Sequence, residues 1–287
     1  MTELADDGGA PRFANWAGRN WALVLGLVMV GSIVALALLA EIISPASPTR
    51  MRMAQALLPP SGAHWFGTDN LGRDVASRVF YGTRISLFIG IATVLLTGIA
   101  GTLLGLVAGY VRTLDGVLMR IMDGFMAFPA LMLAVAITAT LGPSSINAVV
   151  ALAAVYIPRT ARVVRASTLV VSQLDYVESA RVLGCSESRI LWRHILPNCL
   201  GPLIVQLTFV FAYAVLSEAA LSFLGMGTPP PTPTLGAVIA EGRDYVREAP
   251  WICLFPGLAL LICVLGLNLM GDGLRDRFDP RRAAGEP

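Results

Sequence analysis

The sequence predicts an all-α integral membrane protein with six transmembrane helices. Three observations predict it. Apolar residues make up 55% of the chain and charged residues 14%, too few for a surface that faces water on every side. Uncharged runs of about 20 residues recur, the helix length that crosses a hydrocarbon core roughly 30 Å thick. Turn chemistry and arginines, rather than long polar stretches, separate these runs. Helices are the economical solution in lipid because each satisfies its own backbone hydrogen bonds.

Taken in order, the first run covers residues 21–40 and begins an anchor over residues 21–43. Residues 1–20 form a tail. Acidic Glu3, Asp6 and Asp7, with an apolar stretch longer than a signal-peptide core, argue against cleavage. The second run covers residues 85–111. Residues 124–158 are uncharged throughout, and as one straight helix they would reach roughly 52 Å, too long for one crossing. The sequence Leu141-Gly142-Pro143-Ser144-Ser145 supplies a turn that splits them into a third and a fourth span. The fourth, over residues 146–158, is short and must borrow length as far as Arg165. The fifth run covers residues 195–217 and the last residues 249–271. Residues 272–287 form a second tail.

Six spans place both termini on one side, and the distribution of arginine chooses the side. Every one of the 21 basic residues is arginine. With cytoplasmic termini, 14 lie inside: Arg12, Arg19, Arg112, Arg120, Arg159, Arg162, Arg165, Arg181, Arg189, Arg193, Arg275, Arg277, Arg281 and Arg282. Seven fall outside: Arg50, Arg52, Arg73, Arg78, Arg84, Arg243 and Arg247. The positive-inside rule favours this arrangement over its inverse. A five-span alternative scores similarly by arginine, and the Gly-Pro break rejects it. Two long segments then face outward, residues 44–84 and 225–248. Their proline- and glycine-rich stretches do not read as a packed domain. They are expected to be ordered against the spans or a partner.

The absence of lysine excludes whole chemistries. A P-loop nucleotidase needs a lysine on its phosphates, and Schiff-base and pyridoxal enzymes need a lysine amine, so no Walker-type ATP hydrolysis occurs within this chain. A net charge of +2 with scattered arginines marks no nucleic-acid binder. Cys185, Cys199, Cys253 and Cys263 lack metal or redox spacing and read as small buried hydrophobes.

Residues 176–198 are the most informative stretch. They read as a helix, a break at Gly184, and a short second helix capped by Ser186 and stopped before Pro197. Ile190, Leu191 and Trp192 beside Arg189 and Arg193 combine apolar anchors with charge, as at an interface centre. A connector lying on the lipid headgroups is the alternative. Glu218, flanked by apolar residues, should face protein or water rather than lipid. It could gate or bind a substrate amino group, although a helix-packing hydrogen bond is the preferred reading. Asp123 is expected to pair with Arg120 one turn earlier, and Arg159, Arg162 and Arg165 to meet headgroups. His64 and His194 stand apart from any acid-base constellation. Asp69, Arg73, Asp74 and Arg78 could cross-pair into a rigid outer plug or dock a partner.

The pattern Glu178-x-Ala180, Gly184 and Leu196-Pro197 resembles the EAA loop of ATP-binding-cassette importer permeases. Ser179 replaces one of the usual alanines, and His194 stands at a usual isoleucine position. The stretch His64-Trp65-Phe66-Gly67-Thr68-Asp69-Asn70-Leu71-Gly72-Arg73-Asp74, continuing through Gly82-Thr83-Arg84, is similar to that of DppC/OppC-type peptide permeases. So are Glu218-Ala219-Ala220-Leu221-Ser222-Phe223-Leu224-Gly225, Ala249-Pro250-Trp251 and Gly271-Asp272-Gly273-Leu274-Arg275-Asp276. The likeness runs from about Arg12 to Arg281.

The resemblance implies a type I ABC importer permease fold with a cytoplasmic coupling helix, the core occupying residues 85–271. Glu178, Ala180, Gly184, Ser186, Arg189, Ile190, Leu191, Leu196 and Pro197 would seat in the ATPase. The implied partners are a second homologous, DppB-like permease and cytoplasmic ATPase chains, DppD/DppF-like or fused into one. A DppA-like extracytoplasmic solute-binding protein and membrane lipids complete the set. No cofactor is expected in this chain, since ATP and Mg would be bound by the partner ATPase. The cargo implied is a dipeptide or oligopeptide crossing a prokaryotic cytoplasmic membrane, with nickel, haem or another peptide-like solute as alternatives. A membrane-embedded enzyme using Glu218, Asp123 or His64 is disfavoured, because these groups fall on opposite sides and no nucleophile-base or zinc motif joins them.

Overall fold

A computed structural model describes residues 20–44 and 46–278. The acidic residues of the first tail and Arg12, Arg19, Arg281 and Arg282 lie outside these. The regular elements among the described residues are helices, with a lone bridge between Thr68 and Asp74. Helix α1 is Trp21–Leu38, and after a kink at Leu39 the short α2 is Ala40–Ile43. Helix α3 is Val75–Tyr110, α4 Arg112–Met126, α5 Ala130–Leu141 and α6 Ser145–Val171. Then follow α7 at Asp175–Val182, α8 at Glu187–Ile190, α9 at Leu196–Phe223, α10 at Leu235–Gly242 and α11 at Trp251–Phe278.

Five helical stretches are long and apolar enough to cross a membrane, and α4 with α5, bent by 90° at the break between them, brings the number to six where the pair is counted as one span. The third span is therefore not the straight helix the sequence reading expects. Pro129 disfavours helical geometry at Phe128, so the chain breaks there and α5 starts anew. The expected split at Gly142 is present. Gly142 takes φ +86°, and Ser144 accepts a hydrogen bond from Ile146 N as α6 begins. Helix α6 continues through Pro158 to Val171, well beyond the residues expected of the fourth span. Helix α3 starts ten residues before the expected second run, so residues 75–84 are helix rather than loop.

Close approach of backbones holds the centre together. Gly101, Gly105 and Gly109 recur every four residues along α3 and face Thr160, Ala161, Val164 and Thr168 of α6. A Cβ on Gly105 would lie 2.5 Å from the Ala161 carbonyl oxygen and 2.7 Å from Val164 Cβ. Small residues at this spacing let membrane helices pack by dispersion where no hydrophobic force separates protein from lipid. Helix α1 lies against α11 in the same manner, Gly26 meeting the backbone at Met270.

The bundle has two distinct ends. Tyr110, Val171, residues 175–196 and Phe278 share one, here the Leu183 end. Residues 46–74, the 142–144 turn and residues 225–250 share the other, the Asp69 end. Segments of this second end are packed against the spans. Phe66 stacks on Phe255 with ring centroids 4.0 Å apart, and Trp251 Nε1 donates to the Thr68 carbonyl at 3.1 Å. Short α10 is wedged against α9, with Gly236 packed on the Ala219 backbone.

Candidate functional site

At the Leu183 end, residues 175–196 form a helix-turn-helix. Asp175 and Glu178 lie in the first turn of α7, where negative charge favours the helix dipole. Gly184 ends that helix with φ +80°. Its N–H donates to the Arg181 carbonyl and the Cys185 N–H to the Ala180 carbonyl, the paired bonds of a Schellman cap. An L side chain at Gly184 would strain this turn. Ser186 occupies the cap position of α8, but its hydroxyl faces Ser188 and makes no bond to the helix N–H groups.

Two expectations change here. The second helix does not stop before Pro197. Residues 191–195 widen into a π-turn that runs straight into α9, accommodating the missing N–H and the ring of Pro197 near the start of that helix. The helix from Glu187 to Phe223 is thus continuous over 37 residues. Secondly, Ile190 is not an interface anchor. It is 0% exposed and packs with Val177, Ala180 and Ile195 against Leu106, Val164, Val171, Cys199 and Leu203. Leu191 is half-buried. The most exposed apolar side chains here are Val182 and Leu183, 83% and 84% exposed, and Trp192, Glu178, Arg189 and Arg193 of the same element are exposed as well. Tyr176 and Asn198 tie the two arms at their base, Asn198 Nδ2 donating to Tyr176 Oη at 3.0 Å.

Several charges on the neighbouring helices are paired with one another. Asp123 pairs with Arg162 at 2.5 Å rather than with Arg120, and Asp115 takes two bonds from Arg165 at 2.5 and 2.6 Å. Arg159 lies 6.0 Å from the Tyr213 ring. The three arginines therefore bind α6 to α4 and α9 instead of projecting only toward headgroups.

At the opposite end, Asp69, Arg73 and Arg78 are buried together. Asp69 Oδ2 accepts from Arg73 Nε and from Arg78 Nη1, each at 2.6 Å, while its Oδ1 accepts from the N–H groups of Leu71 and Arg73. Glu241 at the end of α10 completes the cluster. It takes a two-pronged contact from Arg78 at 2.6 and 3.0 Å and a further bond from Arg73. Asp74 stands apart from this set. It caps α3 through the Ser77 N–H and hydroxyl, both at 2.8 Å, and meets His64 Nδ1 at 2.9 Å, so His64 does have an acidic partner. Glu241 escaped the sequence reading because its partners are 163 and 168 residues away.

Glu218 is 0% exposed in α9. Ser86 of α3 donates to one carboxylate oxygen at 2.6 Å and Ser222 to the other at 2.7 Å, with Thr234 beside them. The carboxyl group thereby joins α3, α9 and the start of α10. An apolar cleft of about 380 Å³ lies on the other side of α9, lined by Leu131, Leu216, Ala220, Gly236 and Leu260 among others.

A multi-pass helical bundle carrying an exposed helix-turn-helix at one end is the arrangement of a membrane-spanning subunit. Residues 101–284 match the family model for the binding-protein-dependent transport system inner membrane component. The chain belongs to that family. A putative peptide transport system permease protein of Brucella abortus is 51% identical over 263 residues, 92% of this chain and 89% of the relative. The dipeptide transport system permease protein DppC of Escherichia coli K12 is 47% identical over 276 residues, 94% and 92% of the two chains. Among solved structures, an amino acid ABC transporter crystallised with histidines matches with a TM-score of 0.55 at 16% identity, covering 70% of this chain and 94% of that one. That likeness is one of fold, the type I permease arrangement. The chain is accordingly a non-catalytic, multi-pass permease subunit of an inner-membrane ABC transport system, and works in a complex with an ATPase and further subunits.

Proposed function

We propose that this chain is the permease through which dipeptides or oligopeptides are imported, driven by ATP hydrolysed on partner chains. Peptide cargo is supported by the names of the relatives, which match over nearly their whole length. Residues 175–196 are the seat of the ATPase, and the observation that carries this is the two-sided character of the element. Its inner side is packed into the bundle, while Val182 and Leu183 stand almost fully exposed at its tip. Apolar tips rimmed by charge suit a desolvated pocket on another protein. The Leu183 end and both termini then lie in the cytoplasm, and the Asp69 end faces a solute-binding protein. ATP and Mg belong to the partner ATPase, as one fused chain or two, and a homologous permease shares the pore. Transport follows as alternating access, with ATP binding favouring one of two states of the bundle.

The experiment is the charged substitution Leu183→Arg in the complete transporter. The side chain is solvent-exposed within this chain, so the fold is retained, and the ATPase is expected to be lost on co-purification. Retention of the ATPase at wild-type stoichiometry would overturn the assignment of the seat.

A further inference from the structure

One polar ring ties both arms of residues 175–196 to a helix that is not their neighbour in sequence. Tyr110 is the last residue of α3. Its hydroxyl donates to the Glu187 carboxylate and accepts from Arg181 Nη2 at 3.3 Å, and Arg181 Nε lies 3.7 Å from Glu187 Oε1. Arg181 belongs to α7 and Glu187 opens α8, so the ring closes across the Gly184 turn. We propose that Tyr110, Arg181 and Glu187 are positioning residues for coupling, holding the turn at a set angle to α3 so that displacing the turn displaces α3. This rests on residues 175–196 being the ATPase seat.

The ring supplies what the packing beneath it does not. Val177, Ala180, Ile190 and Ile195 rest on an apolar bed, and apolar contact is non-directional, so it resists separation more than rocking. The turn itself is the compliant point, since it contains a left-handed glycine and a short helix without a side-chain cap. A cleft of about 600 Å³ lined by Tyr110, Arg112, Thr113, Arg181, Glu187 and Leu191 borders the ring. On that side the turn is held by hydrogen bonds with defined directions rather than by close packing.

Helix α3 is suited to carry the displacement onward. Its 36 residues span roughly 54 Å. The glycine face locks it to α6, Ser86 bonds it to Glu218, and its first turns carry Asp74 and Arg78 of the opposite end. A shift at Tyr110 is thus delivered to the outer charge cluster through one continuous helix.

The test uses the complete transporter reconstituted in proteoliposomes, with a radiolabelled dipeptide and its ATPase measured together. Tyr110→Phe keeps the aromatic side chain and removes the hydroxyl that closes the polar ring. Dipeptide transported per ATP is expected to fall about two- to fivefold, the weight of a half-exposed charged contact. Glu187→Ala, which removes both acceptor oxygens, is expected to act in the same direction, and the double variant to fall no further than the worse single one, because the same polar ring is broken in each case. Amide exchange over residues 181–190 should quicken in both. Unchanged transport per ATP in both variants overturns the proposal, even if exchange quickens, since the ring would then be structural only. Should Tyr110→Phe fail to assemble, Glu187→Ala decides on the same ratio. Release of the ATPase by Leu183→Arg with no effect of Tyr110→Phe removes the ring and spares the seat. Retention of the ATPase in Leu183→Arg removes the seat itself and the ring's role with it.

Discussion

Asp69→Asn is the sharpest test of the cluster at the outer end. The substitution is nearly isosteric at a site with 0% exposure. Asparagine keeps the oxygen that accepts from Leu71 and Arg73 N–H, but places an NH2 where Arg73 Nε and Arg78 Nη1 both donate at 2.6 Å. Two guanidinium groups then share the single carboxylate of Glu241. At a separation of about 4 Å and an effective dielectric constant of about 20, each lost attraction amounts to roughly 4 kcal/mol before solvation is counted. Breaking one partner out of a buried ionic set costs about 3 to 5 kcal/mol net, and that is the destabilisation expected. Cys199 and Cys263 are buried and free, so once partly exposed Cys185 and Cys253 are replaced by serine a thiol-reactive dye reports thermal unfolding of the purified protein in detergent. Replacing Arg78 as well, in Asp69→Asn/Arg78→Met, removes the surplus positive charge and should recover about 1 to 3 kcal/mol relative to the sum of the single variants. A cost below about 1 kcal/mol for Asp69→Asn would refute the reasoning, since buried charges that lose their partner cannot be so tolerant.

Further outcomes follow from the same contacts. Gly105→Val puts side-chain atoms where α3 meets the Ala161 carbonyl, and should cost about 3 kcal/mol or more by overpacking, read as loss of folded protein from membranes. Glu218→Gln retains polar partners for Ser86 and Ser222 and should stay within about 1 kcal/mol of the parent. Glu218→Ala strands both hydroxyls and should cost about 1 to 3 kcal/mol. Dipeptide uptake at full rate in Glu218→Gln supports packing as the role of this group, whereas lost uptake at normal stability assigns a role to its charge.

Much of this arrangement was legible from local chemistry. Long uncharged runs located the crossings, the Gly142 turn divided the longest of them, and Gly184 marked the cap between α7 and α8. These signals lie within a few residues of the structure they cause. The rest depends on partners far along the chain. Asp123 has Arg120 one turn away and still pairs with Arg162, because α6 passes beside it. Glu241 looks like an isolated charge in a proline-rich segment until the fold brings Arg73 and Arg78 to it. Ile190 and Val182 are both apolar residues in a short amphipathic stretch, and only the rotation of the element on α3 and α6 decides which is buried. Pro129 and Pro197 carried opposite lessons. One stands at a break between two helices, whereas a π-turn accommodates the other within a continuous helix.

The seat of the ATPase at the Leu183 end is the central claim, and site-specific crosslinking in inverted and right-side-out membrane vesicles tests it most directly. Single cysteines are placed by Leu183→Cys at one end and Trp65→Cys at the other, both exposed positions, with half-buried Cys185 and Cys253 replaced by serine and buried Cys199 and Cys263 by alanine. Position 183 is predicted to crosslink to the ATPase chain and to react with an impermeant maleimide only in inverted vesicles, while position 65 does neither. Crosslinking of the ATPase at position 65, or labelling of position 183 from the outside, would contradict it.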